Sequence, residues 1–156
     1  MLRPVIQKKR EPRTRCSLEF IRATGEFMPF RNEIFDYETV GLALRNFGDK
    51  TATFNEAHRT LTKFGWFLSV DFVVPDNPFV RKLYMFHVFN LLPNLGRLVS
   101  SNWHRTLAYL AKPIQLSTSP AETRMMLSKS GFGQTFSEKI TLGVVVLIGA
   151  RDRKLA

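Results

Sequence analysis

Apolar and charged side chains alternate through Ser17-Leu18-Glu19-Phe20-Ile21-Arg22, the period of two that predicts a short strand with one wet face. Ala23-Thr24-Gly25-Glu26 follows as a tight loop of small residues. Met28-Pro29-Phe30 and Arg31-Asn32-Glu33 read as a turn, because Pro29 fixes its φ and removes a donor. A second strand is expected over 35–41, and a polar loop carrying Arg45 and Asn46 leaves its end. Thr51 or Thr53 is placed to cap a helix running to about Phe64, with Ala57, Leu61 and Phe64 on one face and Gly65 ending it. Residues 66–72, Trp-Phe-Leu-Ser-Val-Asp-Phe, are mostly apolar, as in a strand buried on both faces.

Asp76-Asn77-Pro78 opens a helix with proline in its first turn. Residues 79–92 are apolar nearly all round, so this helix packs as core, lines a lipophilic pocket or rests on a membrane. Pro93 and Gly96 break it, and a short helix over 104–112 stops at Pro113. Ser119-Pro120-Ala121-Glu122 is a helix start with a serine cap, proline at the first position and a glutamate completing a capping box, and Gly131 closes that helix. Strands over 134–140 and 143–149 join through Thr141-Leu142-Gly143 as a hairpin. The order β, β, α, β, α, α, α, β, β predicts an α/β fold with a parallel sheet and a closing antiparallel hairpin.

Length and composition narrow the class. At 156 residues, 44% of them apolar and 14 of them Phe, the chain is one domain able to bury a core, which excludes a disordered protein. The formal charge of +10 is concentrated at Arg3, Lys8, Lys9, Arg10, Arg13, Arg15 and Arg22 and again at Arg151, Arg153 and Lys154. Such a balance fits nucleic acid, an anionic membrane surface or an acidic ligand, and a solvated basic tail explains it equally. No nucleic-acid-binding signature accompanies it, so that class rests on charge alone and is not expected. Residues 1–15, interrupted by Pro4 and Pro12, give a short amphipathic helix at most, with some transit-peptide flavour. The single Cys16 excludes an internal disulfide, and His58, His87 and His104 lack metal-ligand spacing, so no metal site is expected. No apolar run reaches the length of a membrane span.

The candidate chemistry lies in residues 26–49. The loop at the end of strand 35–41 is where open α/β sheets bind ligands, which makes Arg45 a functional candidate. The plain alternative is an Arg45 paired with Asp49 on the same loop.

Glu26-Phe27-Met28-Pro29-Phe30, followed by Phe35-Asp36 and then by 39–46, Thr-Val-Gly-Leu-Ala-Leu-Arg-Asn, resembles the UbiE/Coq5 family of class I S-adenosylmethionine-dependent methyltransferases. Residues 56–61, Gly65-Trp66-Phe67-Leu68, Leu92-Pro93-Asn94-Leu95-Gly96, Tyr109-Leu110 and Gly143-Val144-Val145 continue the match, which covers nearly the whole chain from about Ser17. The resemblance implies a truncated Rossmann-like class I methyltransferase fold, mostly parallel with an antiparallel C-terminal hairpin, as a single partial domain over 1–156. It implies C-methylation of the ring of a ubiquinone or menaquinone precursor, with S-adenosylmethionine as cofactor and a prenylated quinol as partner. Carried over by position, Thr24 and Gly25 meet the adenine, Gly41 lies beside the sulfonium, and Arg45 and Asn46 face the quinol ring. The arginine would favour the phenolate that makes the neighbouring carbon nucleophilic. The implied location is the cytoplasm or inner-membrane face, with peripheral membrane association, or the mitochondrial matrix in a eukaryote.

The departures are specific. The family's glycine-rich loop after strand one and acidic residue after strand two are not in this chain, Thr24 stands where Asp or Asn is common, and Lys63-Phe64-Gly65 replaces Pro-Gly-Gly. Lys112-Pro113-Ile114 sits where Ser-Ile is usual. Two readings follow: a methyltransferase active with a complementing chain or as part of a longer product, or a catalytically inactive half-domain that binds a quinone lipid or other enzymes. The inner edge of strand 35–41 is expected to be covered by 17–22, a second copy or another chain.

Overall fold

The computed structural model describes residues 17–91 and 118–152. Its elements run β1 (Phe35–Gly41), a 3-10 turn (Leu44–Asn46), α1 (Lys50–Thr60), β2 (Leu61–Phe72), α2 (Pro78–Phe86), a π turn (His87–Leu91), α3 (Pro120–Lys129), β3 (Gln134–Ile140), a 3-10 turn (Thr141–Gly143) and β4 (Val145–Arg151). The sheet order is β1-β2-β4-β3, with β1 and β2 parallel and the pairs β2–β4 and β4–β3 antiparallel. The α/β class and the antiparallel closing hairpin are as expected, but among the described residues the sheet is mixed rather than mostly parallel, because β4 runs back along β2 and leaves β1–β2 as the parallel pair.

Local signals explain the helix starts. Ser119 and Glu122 form the expected capping box: Glu122 N donates to Ser119 Oγ at 3.2 Å, and Ser119 N donates to Glu122 Oε2 at 3.0 Å. Gly131 follows α3 with φ +103°, the left-handed conformation a helix-ending glycine adopts. Asn77 caps α2 by accepting from Phe79 N and Val80 N, with Pro78 at the first position. The cap of α1 differs from expectation. Asp49, not Thr51 or Thr53, accepts from Ala52 N at 3.0 Å, while Thr53 bonds back to the carbonyl of Asp49. An extended Asp with its carboxylate over the first turn is the stronger cap.

The expected end of α1 near Phe64 is also corrected. Leu61 turns extended directly after Thr60 and enters β2 opposite Phe35, where it is fully buried. Gly65 therefore lies within β2, past a bulge in which Phe64 takes φ 68°. A Cβ on Gly65 would lie 3.0 Å from Leu61 and from the carbonyl of Thr62. The second hairpin strand begins at Val145, two residues later than expected, because Thr141, Leu142 and Gly143 spend positive φ angles on the turn.

One face of the sheet carries the core. Phe67 pairs across with Ala150, Ser69 with Ile148 and Asp71 with Val146, and all of these are buried. Phe54 and Ala57 of α1, Leu127 of α3 and Phe132 pack onto that face, with Phe54 edge-on to Phe67 at 5.6 Å. Fully burying one such phenylalanine contributes roughly 1.5–3 kcal/mol. The expectation that 66–72 is buried on both faces does not hold, because Trp66, Leu68, Val70 and Phe72 alternate onto a half-open side.

Two further expectations change. Residues 17–22 form no strand: a strand needs a neighbour to take its backbone bonds, and the nearby pairing is a lone bridge between Thr24 and Phe27. Among the described residues the outer edge of β1 therefore has no strand beside it. The apolar helix over 79–92 resolves into α2 and the π turn, and no residue of α2 is buried. Its inner side, with Tyr84 and the buried Val88, rests on Phe72 and Val74. The break at Pro93 and the helix over 104–112 lie outside the described residues.

Candidate active site

The loop that follows residues 17–22 is fastened to α1 by two carboxylates and one guanidinium. Glu26 Oε1 accepts from Gly48 N at 3.0 Å and Asp49 N at 3.3 Å, and its own backbone amide, helped by these two, holds its carboxyl below the ordinary range. Glu56 and Arg59, one helical turn apart on α1, form a two-pronged pair at 2.7 and 2.8 Å. Arg59 also donates to the carbonyls of Phe30 and Met28 and to Asn32 Oδ1, while Met28 N donates to Glu56 Oε2. The turn 28–32 is thus held over the helix. Gly25 then sits so close to Phe47 and Thr53 that a Cβ would lie 3.1–3.3 Å from them.

The second loop leaves β1. Gly41 is exposed, and a Cβ there would meet nothing within 4 Å. Leu42 turns the chain with φ 55° while donating its amide to the carbonyl of Val70. Leu44 is buried and anchors the 3-10 turn, which leaves Asn46 exposed to solvent.

Arg45 folds inward. Its Nη1 forms an ion pair with Asp71 Oδ1, and its backbone amide donates to Asp71 Oδ2 at 3.3 Å. Asp71 Oδ1 also accepts from Phe72 N at 2.8 Å. The expected alternative, a pair with Asp49, is replaced because Asp49 is occupied as the helix cap. Arg45 Nε is buried without a hydrogen-bond partner among the described residues. Tyr84 of α2 stands near enough to feel this charge: burial pushes its phenol up, and the Arg45 guanidinium acts in the opposite sense.

The structure therefore brings Thr24, Gly25, Gly41, Arg45 and Asn46 onto two loops that touch, joined by Glu26 and by the Gly25–Phe47 contact. Thr24, Gly41 and Asn46 are exposed, Gly25 is half-buried, and the Arg45 side chain is nearly buried. A cavity of about 240 Å³ opens beside Gly25, walled by Phe30, Phe47, Thr53 and Phe67 and by Glu38 of β1. Burial raises the Glu38 carboxyl above its ordinary range, opposed by the hydroxyl of Thr60, which donates to it.

Sequence reasoning missed Asp71, Tyr84, Glu38 and the Glu56–Arg59 pair. A signal existed for two of them. Asp71 is the lone charge in the mostly apolar run 66–72, and a carboxylate in such a run needs a cation. Glu56 and Arg59 have the spacing of a helical pair. Tyr84 and Glu38 gave none.

The family model of the ubiE/COQ5 methyltransferase family matches residues 1–151. A ubiquinone/menaquinone biosynthesis C-methyltransferase UbiE of Pseudoalteromonas translucida (strain TAC 125) is 32% identical over 131 residues, covering 84% of this chain and 52% of the relative. The protein of that name from Rickettsia rickettsii (strain Sheila Smith) is 30% identical over 137 residues, covering 88% and 55%. The chain thus spans about half the length of the curated relatives it matches. Among solved structures, a SAM-dependent methyltransferase of Methanosarcina mazei superposes with a TM-score of 0.62 at 14% identity, over 97% of this chain and 76% of its own. A SAM-dependent methyltransferase of Thermotoga maritima, a possible histamine N-methyltransferase, gives 0.56 at 18% identity, over 86% and 63%. Human N-acetylserotonin methyltransferase, solved in complex with SAM, gives 0.52 at 16% identity, over 88% and 36%. These likenesses show the class I methyltransferase fold.

Proposed function

The chain belongs to the ubiE/COQ5 methyltransferase family, and we propose that it forms the substrate-facing part of an S-adenosylmethionine-dependent C-methyltransferase acting on the ring of a ubiquinone or menaquinone precursor. The observation that carries this reading is the arginine of the family-like Leu44-Arg45-Asn46 turn. It is fixed by Asp71 at the paired ends of β1 and β2, where an open α/β sheet binds its ligand.

The described residues fit one wall of a cofactor site. Gly41 leaves open space at the end of β1, and Gly25 allows the 24–26 loop to lie flat against Phe47 and Thr53. The cavity of about 240 Å³ is mostly apolar, and it lies below the ~300–1,000 Å³ of sites that enclose an organic ligand. Thr24, Gly25 and Gly41 would hold one side of S-adenosylmethionine, and the other side falls to whatever covers the outer edge of β1. Bound, that group supplies an electrophilic methyl on a positively charged sulfur.

The chain's own residues do the positioning. Asp71 restrains the guanidinium of Arg45, so its remaining N–H groups are aimed before a substrate arrives. A ring oxygen receiving them is favoured as the phenolate, which enriches the adjacent carbon. Asn46, exposed on the same turn, offers an amide to a second ring oxygen.

The test is transfer of a labelled methyl group from S-adenosylmethionine to a demethylated prenyl quinol. It is run with the chain alone and with a polypeptide carrying the glycine-rich half of a relative. Incorporation is expected in the mixture. Arg45→Lys, which keeps a cation beside Asp71, is expected to lower it by about 10²-fold or more. A second reading, a non-catalytic module for a quinone lipid, is favoured by an edge of β1 that no strand among the described residues covers and by the charge balance of Arg45 with Asp71. Quinol binding without incorporation in either mixture would establish that reading instead.

A further inference from the structure

Helix α2 has two apolar sides, and among the described residues only one is packed against. Val80, Tyr84 and Val88 turn toward the body of the protein, where Val88 is buried against Phe72 and Val74. Phe79, Leu83 and Phe86 repeat on the opposite side at helical spacing and are 76%, 61% and 58% exposed. With Lys82 they line a shallow surface cleft of about 340 Å³. Single exposed apolar residues need no explanation, but three on successive turns of one helix form a patch.

Charge selects the occupant. From Pro78 to Leu91 the chain carries Arg81 and Lys82 and no acidic residue, within a protein of formal charge +10. Arg81 is steadied near the helix start by donating Nε to the carbonyl of Pro75 at 2.9 Å. Lys82 lies in the apolar patch itself, where its stem can lie along the rings while the ammonium reaches outward. A second copy would set Lys82 against Lys82 between two strongly basic chains. Among the described residues, an isoprenoid tail would find walls from one helix alone.

We infer that the Phe79, Leu83 and Phe86 face of α2 docks on an anionic lipid bilayer, the helix lying in the interface plane with Arg81 and Lys82 among the headgroups. Among the described residues no helix is long and apolar enough to cross a membrane, and this mode of contact requires none. The inference rests on the surface alone and stands whether or not the chain takes part in methyl transfer.

The test is co-sedimentation of the full chain with phosphatidylcholine vesicles, with and without phosphatidylglycerol. Binding is expected to the mixed vesicles. Phe79→Ser with Phe86→Ser should weaken it by roughly tenfold or more, with the circular dichroism unchanged because both side chains are exposed. A second variant separates insertion from attraction by the basic residues elsewhere. Phe86→Trp should add emission that brominated phospholipids quench. Undiminished binding of the double variant, or no added quenching in Phe86→Trp, overturns the inference. So does a concentration-dependent dimer abolished by the double substitution, which would assign the face to a second copy. Stoichiometric capture of a soluble prenyl alcohol, lost in the same variant, would assign it to a tail and overturn it likewise.

Discussion

Arg45 and Asp71 pair where β1 and β2 end side by side, with side chains only 6% and 9% exposed. Asp71 accepts from the Arg45 side chain, the Arg45 amide and the Phe72 amide, so removing it strands three donors at once. Breaking a buried pair from one side leaves an uncompensated charge, and Asp71→Ala is expected to cost about 3–5 kcal/mol in urea unfolding. Replacing both partners, Arg45→Met with Asp71→Leu, should recover most of that loss. A double variant no more stable than Asp71→Ala would show that the pair does more than neutralise itself.

Glu56 and Arg59 hold the turn 28–32 over α1 through bonds to Met28, Phe30 and Asn32. Arg59 holds the Glu56 carboxyl below its ordinary range, with help from the Met28 amide. A depressed carboxylate contributes stability that is present above its unfolded value and is lost as pH falls through the folded one. Stability should therefore decline as pH drops below the ordinary carboxylate range, and Glu56→Gln should flatten that decline. The gain is small because the pair is partly solvated. Urea unfolding of both proteins from pH 7 downward measures it, and identical slopes would mean that other carboxylates carry the acid sensitivity.

What the sequence reveals of this fold is what lies within a few residues along the chain. The capping box at Ser119, the glycine at 131, the proline at 78 and the strand over 35–41 each depend on local geometry, and each is found in place. The alternation over 17–22 is equally clear as a pattern, yet forms no strand, because pairing depends on a neighbour that alternation does not supply. The segment 79–92 reads as an apolar helix that packs as core, lines a pocket or rests on a membrane, and the choice among these depends on what packs around it. For the candidate site, the position of the Arg45 turn is legible. Its inward rotation is not, since the partner lies 26 residues away in the chain.

The cap of α3 offers a clean measure of a local contribution. Ser119 Oγ accepts from Glu122 N, and Glu122 returns the bond to the amide and hydroxyl of Ser119. Ser119→Ala should cost about 1 kcal/mol in urea unfolding. A loss well above this would mean that the cap also orders the approach to α3.

Glu38 presents the opposite electrostatic case. It stands on β1 with its carboxylate half-buried against Thr60 and facing the cavity beside Gly25, and burial raises its pKa. The folded state then holds this proton more tightly than the unfolded state. At low pH both states are protonated and the residue is neutral in its effect. As pH rises past the unfolded value the destabilisation grows, and it is complete above the raised folded value. Glu38→Gln keeps an oxygen for the Thr60 hydroxyl and removes the charge, so it should stabilise the protein near pH 7 by less than about 1 kcal/mol. The difference should vanish in acid. Unfolding curves at pH 7 and pH 4 make the comparison, and a glutamine variant that is less stable at neutral pH would show that the ionised carboxylate has a partner in the cavity.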